Sequence, residues 1–562
     1  MGSRQELRAS AGGVSPPAAS ATSRKVEIYD TTLRDGAQLE GISLTVDDKL
    51  RIAEQLDWLG VDYVEAGWPG SNPKDDEVFR RAVTELDMKT STLVAFGSTR
   101  RVKGKVDSDD TLRHLVEAGA PAACIVGKCW DYHVTEALGT TLDEGVAMVA
   151  DSVEFLAARG LEVLFDAEHL FDGYSRNPEF SLRVLEAAAE RGASRLVLCD
   201  TNGGTLPDEV ERIVGEIVAY FKGDVGVGVH LHDDAGTGVA NALAGVRAGA
   251  MQVQGTINGY GERTGNCNLT TIIPNLSLKM GIETIPADRM ERLTPVAHHV
   301  AELVNMALNP QAPYVGESAF AHKAGLHTSA IAKRPDAYEH VVPDSVGNGT
   351  RFVVSELAGK STILLKAKEL GLEIDGPQVS DVVDTLKRME HEGYHFAVAD
   401  ASLELLMRRA TGWEQPWFRV ESFRVITDDL RGDDLRGGDL QGGDAARVGV
   451  STEATIKVHA GNERLVATAE GNGPVNALDT ALRRALGDRC PGLEAVHLTD
   501  YKVRVLDTQK GTGAVTRVLI DSTNGARTWT TIGVSENIIE ASWQALYDSL
   551  VFGLLHTGPE GA

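Results

Sequence analysis

From Lys25 to about Gly281, short apolar or β-branched runs alternate with longer stretches in which apolar residues recur every three or four positions. Runs of the first kind predict strands, and the second spacing predicts helices with one buried face. The predicted strands are Val26–Tyr29, Val61–Glu65, Thr92–Phe96, Ala122–Val126, Glu162–Phe165, Arg195–Cys199, Val225–His230 and Met251–Ile257. The helices between them include Val46–Leu59, Leu142–Ala158, Pro207–Phe221 and Gly238–Ala248, and glycine often stands at a helix end, as at Gly60, Gly160 and Gly249. Eight such units over about 250 residues match the size of an α/β (β/α)8 TIM barrel. On pattern alone an open doubly wound sheet fits as well.

The pattern changes beyond the barrel. Residues 283–426 read as helical linker subdomains, with helices at Met290–Met306 and Val379–Glu392. Residues 427–448 form a small Asp/Gly repeat that cannot bury apolar surface and reads as a linker. Its acidic spacing fits neither an EF-hand loop nor a calcium-binding nonapeptide. Residues 449–558 then read as two strand–strand–helix halves of a separate α+β domain. Strands are expected at Ala454–His459, Arg464–Glu470, Lys502–Leu506 and Thr516–Asp521, with helices at Pro474–Leu486 and Ile538–Leu554. Residues 1–24, rich in Ala, Ser, Gly and Pro, are expected to form a disordered tail.

Composition narrows the possible roles. A chain of 562 residues with 42% hydrophobic residues and a formal charge of −26 has no concentrated positive charge for nucleic acid or an anionic membrane. No apolar run approaches the roughly 18 residues needed to span a bilayer. The five cysteines are scattered with no CxxC pair, which points to a reducing, cytoplasmic setting and to neither disulfides nor a zinc knuckle.

The candidate chemistry lies at the strand ends. In barrels the loops after the strands converge on one mouth. Here strand one is followed by Asp30-Thr-Thr-Leu-Arg34-Asp35-Gly-Ala-Gln38, and strand five leads to Asp166 and Glu168. Strand seven ends in His230-Leu-His232, and strand eight runs into Asn258-Gly-Tyr-Gly-Glu262-Arg263-Thr-Gly-Asn266. His230 and His232, two apart on a strand, point to one face. With Asp35 and Asn266 arriving from the neighbouring strands, they make a four-ligand N/O set suited to Mg, Mn or Zn. Gly259, Gly261 and Gly265 are spaced unlike a dinucleotide-binding loop and follow the last strand rather than the first.

These segments, together with Phe320-Ala-His-Lys-Ala-Gly-Leu-His327, resemble the 2-isopropylmalate synthase, homocitrate synthase and citramalate synthase family of acetyl-CoA-dependent Claisen-condensing enzymes. Gly471-Asn-Gly-Pro-Val-Asn-Ala-Leu478 looks like that family's regulatory domain. Glu65-Ala-Gly-Trp-Pro-Gly-Ser-Asn-Pro-Lys74 and Phe165-Asp-Ala-Glu-His-Leu-Phe-Asp-Gly-Tyr174 look most like the citramalate-forming branch, which uses pyruvate. The stretch His232-Asp-Asp-Ala-Gly236 departs from the commoner His-Asn-Asp-Ser-Gly.

The resemblance implies a divalent metal on Asp35, His230, His232 and Asn266, and acetyl-CoA as co-substrate near Asn258, Gly259 and Glu262. It implies catalytic roles for Arg34, Glu168 and His327, and substrate contacts from Arg34, His133, Thr201 and Gln38. It further implies a homodimer and an amino-acid effector at the C-terminal domain, isoleucine for a citramalate enzyme or leucine for an isopropylmalate enzyme. A synthase for another 2-oxo acid shares every motif. A metal-dependent lyase or aldolase of the same barrel type would lack the C-terminal domain, and a non-catalytic binding protein would not need Arg34 beside the full ligand set.

Overall fold

The computed structural model describes residues 24–323, 330, 331, 333–354, 359–430 and 449–557. Contacts divide the chain into two units, one running to Phe320 and including Glu339–Thr350, the other comprising Ala321–Tyr338 and Arg351 onward.

The first unit is built on a closed barrel of eight parallel strands in sequence order. They are β1 Glu27–Asp30, β2 Tyr63–Gly67, β3 Thr92–Ser98, β4 Ala122–Lys128, β5 Glu162–Glu168, β6 Ala193–Asp200, β7 Gly226–Leu231 and β8 Gln252–Gly255. Closure comes from β1 pairing with β8, Glu27 opposite Gln252 and Asp30 opposite Gly255. Local chemistry sets the helices. Thr45 caps Val46–Leu59 with Asp48 in a reciprocal capping box, and Gly60, in the left-handed region at φ 97°, ends it.

Alternation along the strands sorts the residues. On β5, Val163, Phe165 and Ala167 pack outward in the core between strands and helices, while Leu164 belongs to a small cluster with Tyr29, Val94, Phe96 and Cys124. The same two-residue period turns Asp166 and Glu168 with Leu164, and His230 and His232 away from the outward Val229 and Leu231.

The second unit begins with a short parallel pair, β9 Ala321–His322 and β10 Arg351–Phe352. Helices Lys360–Glu369, Gly376–Glu392 and Asp400–Ala410 follow. Two antiparallel three-stranded sheets complete it: β11 Arg419–Leu430, β12 Gly449–Ala460 and β13 Glu463–Gly471, then β14 His497–Val505, β15 Thr516–Thr523 and β16 Thr528–Ser535. Helices Pro474–Leu486 and Ile538–Thr557 supply Ala477, Leu478, Ala481, Leu482, Ala541, Ala545 and Leu546 to a core shared with strand residues such as Ile456, Val458 and Ile520.

Four sequence expectations are corrected. Residues 419–426 are not helical; with 427–430 they form β11, whose Phe423 and Val425 alternate towards the core. Residues 427–448 therefore do not link two domains, because Leu430 and Gly449, at either end of 431–448, face each other in one strand pair. The second half of the C-terminal domain has three strands, not two, since Thr528–Ser535 pairs with β15 and buries Trp529 and Ile532. The helix expected at Met290–Met306 is confined to Leu293–Leu303, preceded by a 3-10 turn at Ala287–Arg292. The expected disordered tail covers residues 1–24, of which only Arg24 lies among the described residues, and the expected catalytic residue His327 lies outside them altogether.

Candidate active site

The turn after β1 is held by its own first residue. The buried Asp30 carboxylate accepts the Thr32 backbone N–H at 2.8 Å and the Thr32 hydroxyl at 2.9 Å, and Thr32 Oγ1 accepts the Ile257 N–H at 2.9 Å. Burial pushes the Asp30 carboxyl up to about 7 against these hydrogen bonds. This turn brings Arg34 and Asp35 to the barrel mouth, where both line a cavity of about 620 Å³.

Asp35, His230 and His232 meet there, each at most 5% exposed. Asp35 Oδ2 lies 3.2 Å from His230 Nε2 and 3.7 Å from His232 Nε2, and the two Nε2 atoms are 3.4 Å apart. Burial alone would raise the Asp35 carboxyl, but the Arg34 charge and the hydrogen bond to His230 hold it well below the carboxylate range. Burial and the neighbouring His230 lower His232 to about 4, so the ring is neutral at pH 7 and one of its nitrogens offers a lone pair.

Asn266 joins this group from the Gly-rich loop, through a bridge to His232. Its Nδ2 stands 3.0 Å from Asp35 Oδ2 and 3.1 Å from His230 Nε2, while its Oδ1 is buried without a hydrogen-bond partner. A half-turn of the amide exchanges the two atoms and brings the orphaned oxygen to the shared point. The result is an O,N,N,O donor set that fits a hard or borderline divalent cation. Gly261 lets this amide approach, since a Cβ there would fall 1.9 Å from Asn266 Oδ1. Gly261→Ala is expected to lower bound Mn²⁺ about tenfold at fixed free metal, measured after gel filtration.

Arg34 is fixed beside these groups. Its Nε donates to the fully buried Glu65 at 2.6 Å, Tyr29 OH donates to the other Glu65 oxygen at 2.7 Å, and the guanidinium lies 3.8 Å over the Phe96 ring. Burial opposes its charge, but Glu65, Asp35 and Asp166 outweigh that and keep it ionised. Trp68 meets Phe96 edge-on at 5.2 Å and also lines the cavity.

Of the other residues singled out from sequence, Gln38, Glu168, Thr201 and Glu262 line the same cavity. Glu168 is ion-paired with Lys128, its register partner at the end of β4. Thr201 Oγ1 accepts the His169 N–H at 2.9 Å, which leaves its own O–H proton for another acceptor. His133 is not among the lining residues and packs edge-on against His169 at 4.3 Å and near Trp130. Asn258 and Gly259 are also absent from the lining, and Asn258 Nδ2 donates to Ala297 O at 2.8 Å.

The sequence also put Lys128 at the end of strand four, and it lines the cavity; sequence reasoning missed Arg100, Arg101, Trp68 and Phe96 as lining residues. What the sequence did not give is the pairing of Lys128 with Glu168, which follows from the register of the two adjacent strands.

Three family models match successive parts of the chain. Residues 25–297 match the family described as HMGL-like, 314–394 the homocitrate synthase post-HMGL domain-like family, and 397–552 the LeuA allosteric (dimerisation) domain. The chain is 50% identical over 539 residues to the (R)-citramalate synthase of Aquifex aeolicus, covering 96% of this chain and 99% of that one. It is 50% identical over 536 residues to the (R)-citramalate synthase of Streptomyces coelicolor, covering 94% and 97%. For the (R)-citramalate synthase of a Synechocystis species the identity is 48% over 535 residues, covering 94% and 96%.

Proposed function

The chain belongs to the (R)-citramalate synthase family, and from that premise we propose that it condenses acetyl-CoA with pyruvate to give citramalate and free CoA. The observation that carries the reading is the meeting of Asp35, His230 and His232 around one point beside the charged Arg34 in a single cavity.

The reaction needs a proton removed from the acetyl methyl group, a new carbon–carbon bond to the keto carbon, and hydrolysis of the thioester. Asp35, His230, His232 and Asn266 are the residues that would hold a divalent ion. Bound there, such an ion supplies Lewis-acid polarisation of the keto oxygen and a positive charge for the carboxylate. Arg34, held charged and immobile by Glu65 and Phe96, stabilises the negative charge that grows on the keto oxygen as the bond forms. The free Thr201 O–H donates to the substrate carboxylate. Glu168, poised against Lys128, and His327 are the proton-transfer groups for enolisation and for the water that cleaves the thioester.

The LeuA domain supports a regulated homodimer. Every residue of β14 is exposed, Leu498, Tyr501, Val503 and Val505 among them, which leaves apolar surface for a second copy. A cavity of about 300 Å³ lined by Val475, Asp479, Arg483, Leu498 and Tyr501 is of a size for one amino acid. Isoleucine is the effector expected of a citramalate-forming enzyme in isoleucine biosynthesis.

The test follows thiol release from acetyl-CoA with pyruvate, 2-oxoisovalerate, 2-oxobutyrate and 2-oxoglutarate. The expected result is a kcat/KM for pyruvate at least tenfold above the others, reduced by isoleucine. Preference for another acid would reassign the substrate, and silence with all four in folded, metal-loaded protein would overturn the synthase reading.

A further inference from the structure

Two glutamines, Gln252 and Gln254, are fully buried inside the barrel on β8. Buried amides persist where their polar atoms are hydrogen-bonded. Gln252 satisfies only its nitrogen, on Glu27 at 3.1 Å, and its oxygen has no partner. Gln254 is satisfied at both ends. Its Nε2 donates to Asp166 Oδ1 at 3.2 Å, and its Oε1 lies 2.9 Å from His230 Nδ1.

This arrangement has a single polarity. A carboxylate oxygen accepts, so the amide nitrogen faces Asp166 and the amide oxygen faces His230. An oxygen 2.9 Å from Nδ1 requires the imidazole proton on that nitrogen. In the neutral ring that a metal requires, the lone pair is then on Nε2, which lies 3.2 Å from Asp35 Oδ2 and towards the point shared with His232. The second histidine lacks any such support, because His232 Nδ1 is buried with no hydrogen-bond partner among the described residues.

We infer that Asp166 and Gln254 are positioning residues: Asp166 orients the Gln254 amide, and that amide fixes the tautomer and ring plane in which His230 presents Nε2 to a metal. The inference rests on the metal-site reading proposed above and extends it to two residues outside the ligand set. Partners of this kind typically change metal affinity by about 10–100-fold. It also ranks the ligands: His230 is set in advance, whereas His232 is free to choose its tautomer when an ion arrives.

The experiment measures Mn²⁺ binding to metal-free protein by the electron paramagnetic resonance of the free ion, with melting temperature recorded for each variant. Gln254→Met fills the same space without donor or acceptor and is expected to bind Mn²⁺ 10–100-fold more weakly than the native chain. The double variant Asp166→Asn with Gln254→Glu reverses the donor and acceptor between the two positions and still offers an oxygen to His230. It is expected to bind within threefold of the native protein, a rescue that a merely space-filling role would not produce. Equal affinity in Gln254→Met, or failure of the folded double variant to recover, would overturn the inference. If Gln254→Met does not fold, the double variant alone decides. A native protein that binds no Mn²⁺ would instead sink the metal-site reading itself, and the inference with it.

Discussion

Arg34→Lys is expected to lower kcat by about 10²–10³-fold while leaving a folded protein, the size of loss seen when a positioned donor is removed from a developing negative charge. Lysine keeps the charge but not the shape. The native guanidinium gives its Nε to Glu65, keeps Nη1 3.6 Å from Asp35, and sits over the Phe96 ring. One ammonium cannot do all three, because it is a point charge on a flexible stem rather than a planar fork. In the variant it follows Glu65, whose buried carboxylate demands a partner, and withdraws from the cavity. Steady-state kinetics with pyruvate would check this against the melting temperature. A loss below tenfold in kcat would show that Arg34 serves only to neutralise Glu65.

Removal of the metal is expected to be larger still, at least about a thousandfold in kcat/KM, since several kcal/mol of charge stabilisation disappear together. Chelation should abolish thiol release, and added Mn²⁺ or Mg²⁺ should restore it. His232→Ala should not be restored at the same metal concentration, because the remaining Asp35, His230 and Asn266 offer one nitrogen fewer. The ion also suits the electrostatics of the site. Asp35 is already ionised and His232 already neutral near pH 7, so two of the ligands need no proton removed when an ion binds. Activity that survives exhaustive chelation would refute the assignment.

The barrel was legible because its signals are local and repeated. Helices Val46–Leu59, Pro207–Phe221 and Gly238–Ala248 have the expected bounds, two of them marked by a capping box or a proline in the first turn. The metal group was legible because HxH on a strand forces both rings to one face, and barrel closure brings β1 against β8, which itself pairs with β7. Strand β11 was not, since Arg419–Leu430 carries charged residues at Arg419, Glu421, Arg424 and Asp428, a bulge near Val420 breaks its alternation, and it runs into an acidic repeat that hides its end. The Gly-rich loop misled in a different way. Asn258 looked like a ligand-facing residue, yet its backbone takes φ 62° and its amide ties the turn to Ala297. Gln254 carried a signal that went unused, a long polar side chain repeated at every second position of an interior strand.

The facing of Leu430 and Gly449 has a consequence for protein engineering. Opposed residues of an antiparallel pair are only about 4.5–5.5 Å apart, so residues 431–448 bridge a gap that a tight hairpin turn also closes. Each doubling of a flexible connection changes its closure free energy by only about 0.6 kcal/mol, which makes length at this point nearly neutral. The junction is thus a ready splice site. A reporter domain whose own termini lie close together can be seated between those two residues with the strand register on either side preserved.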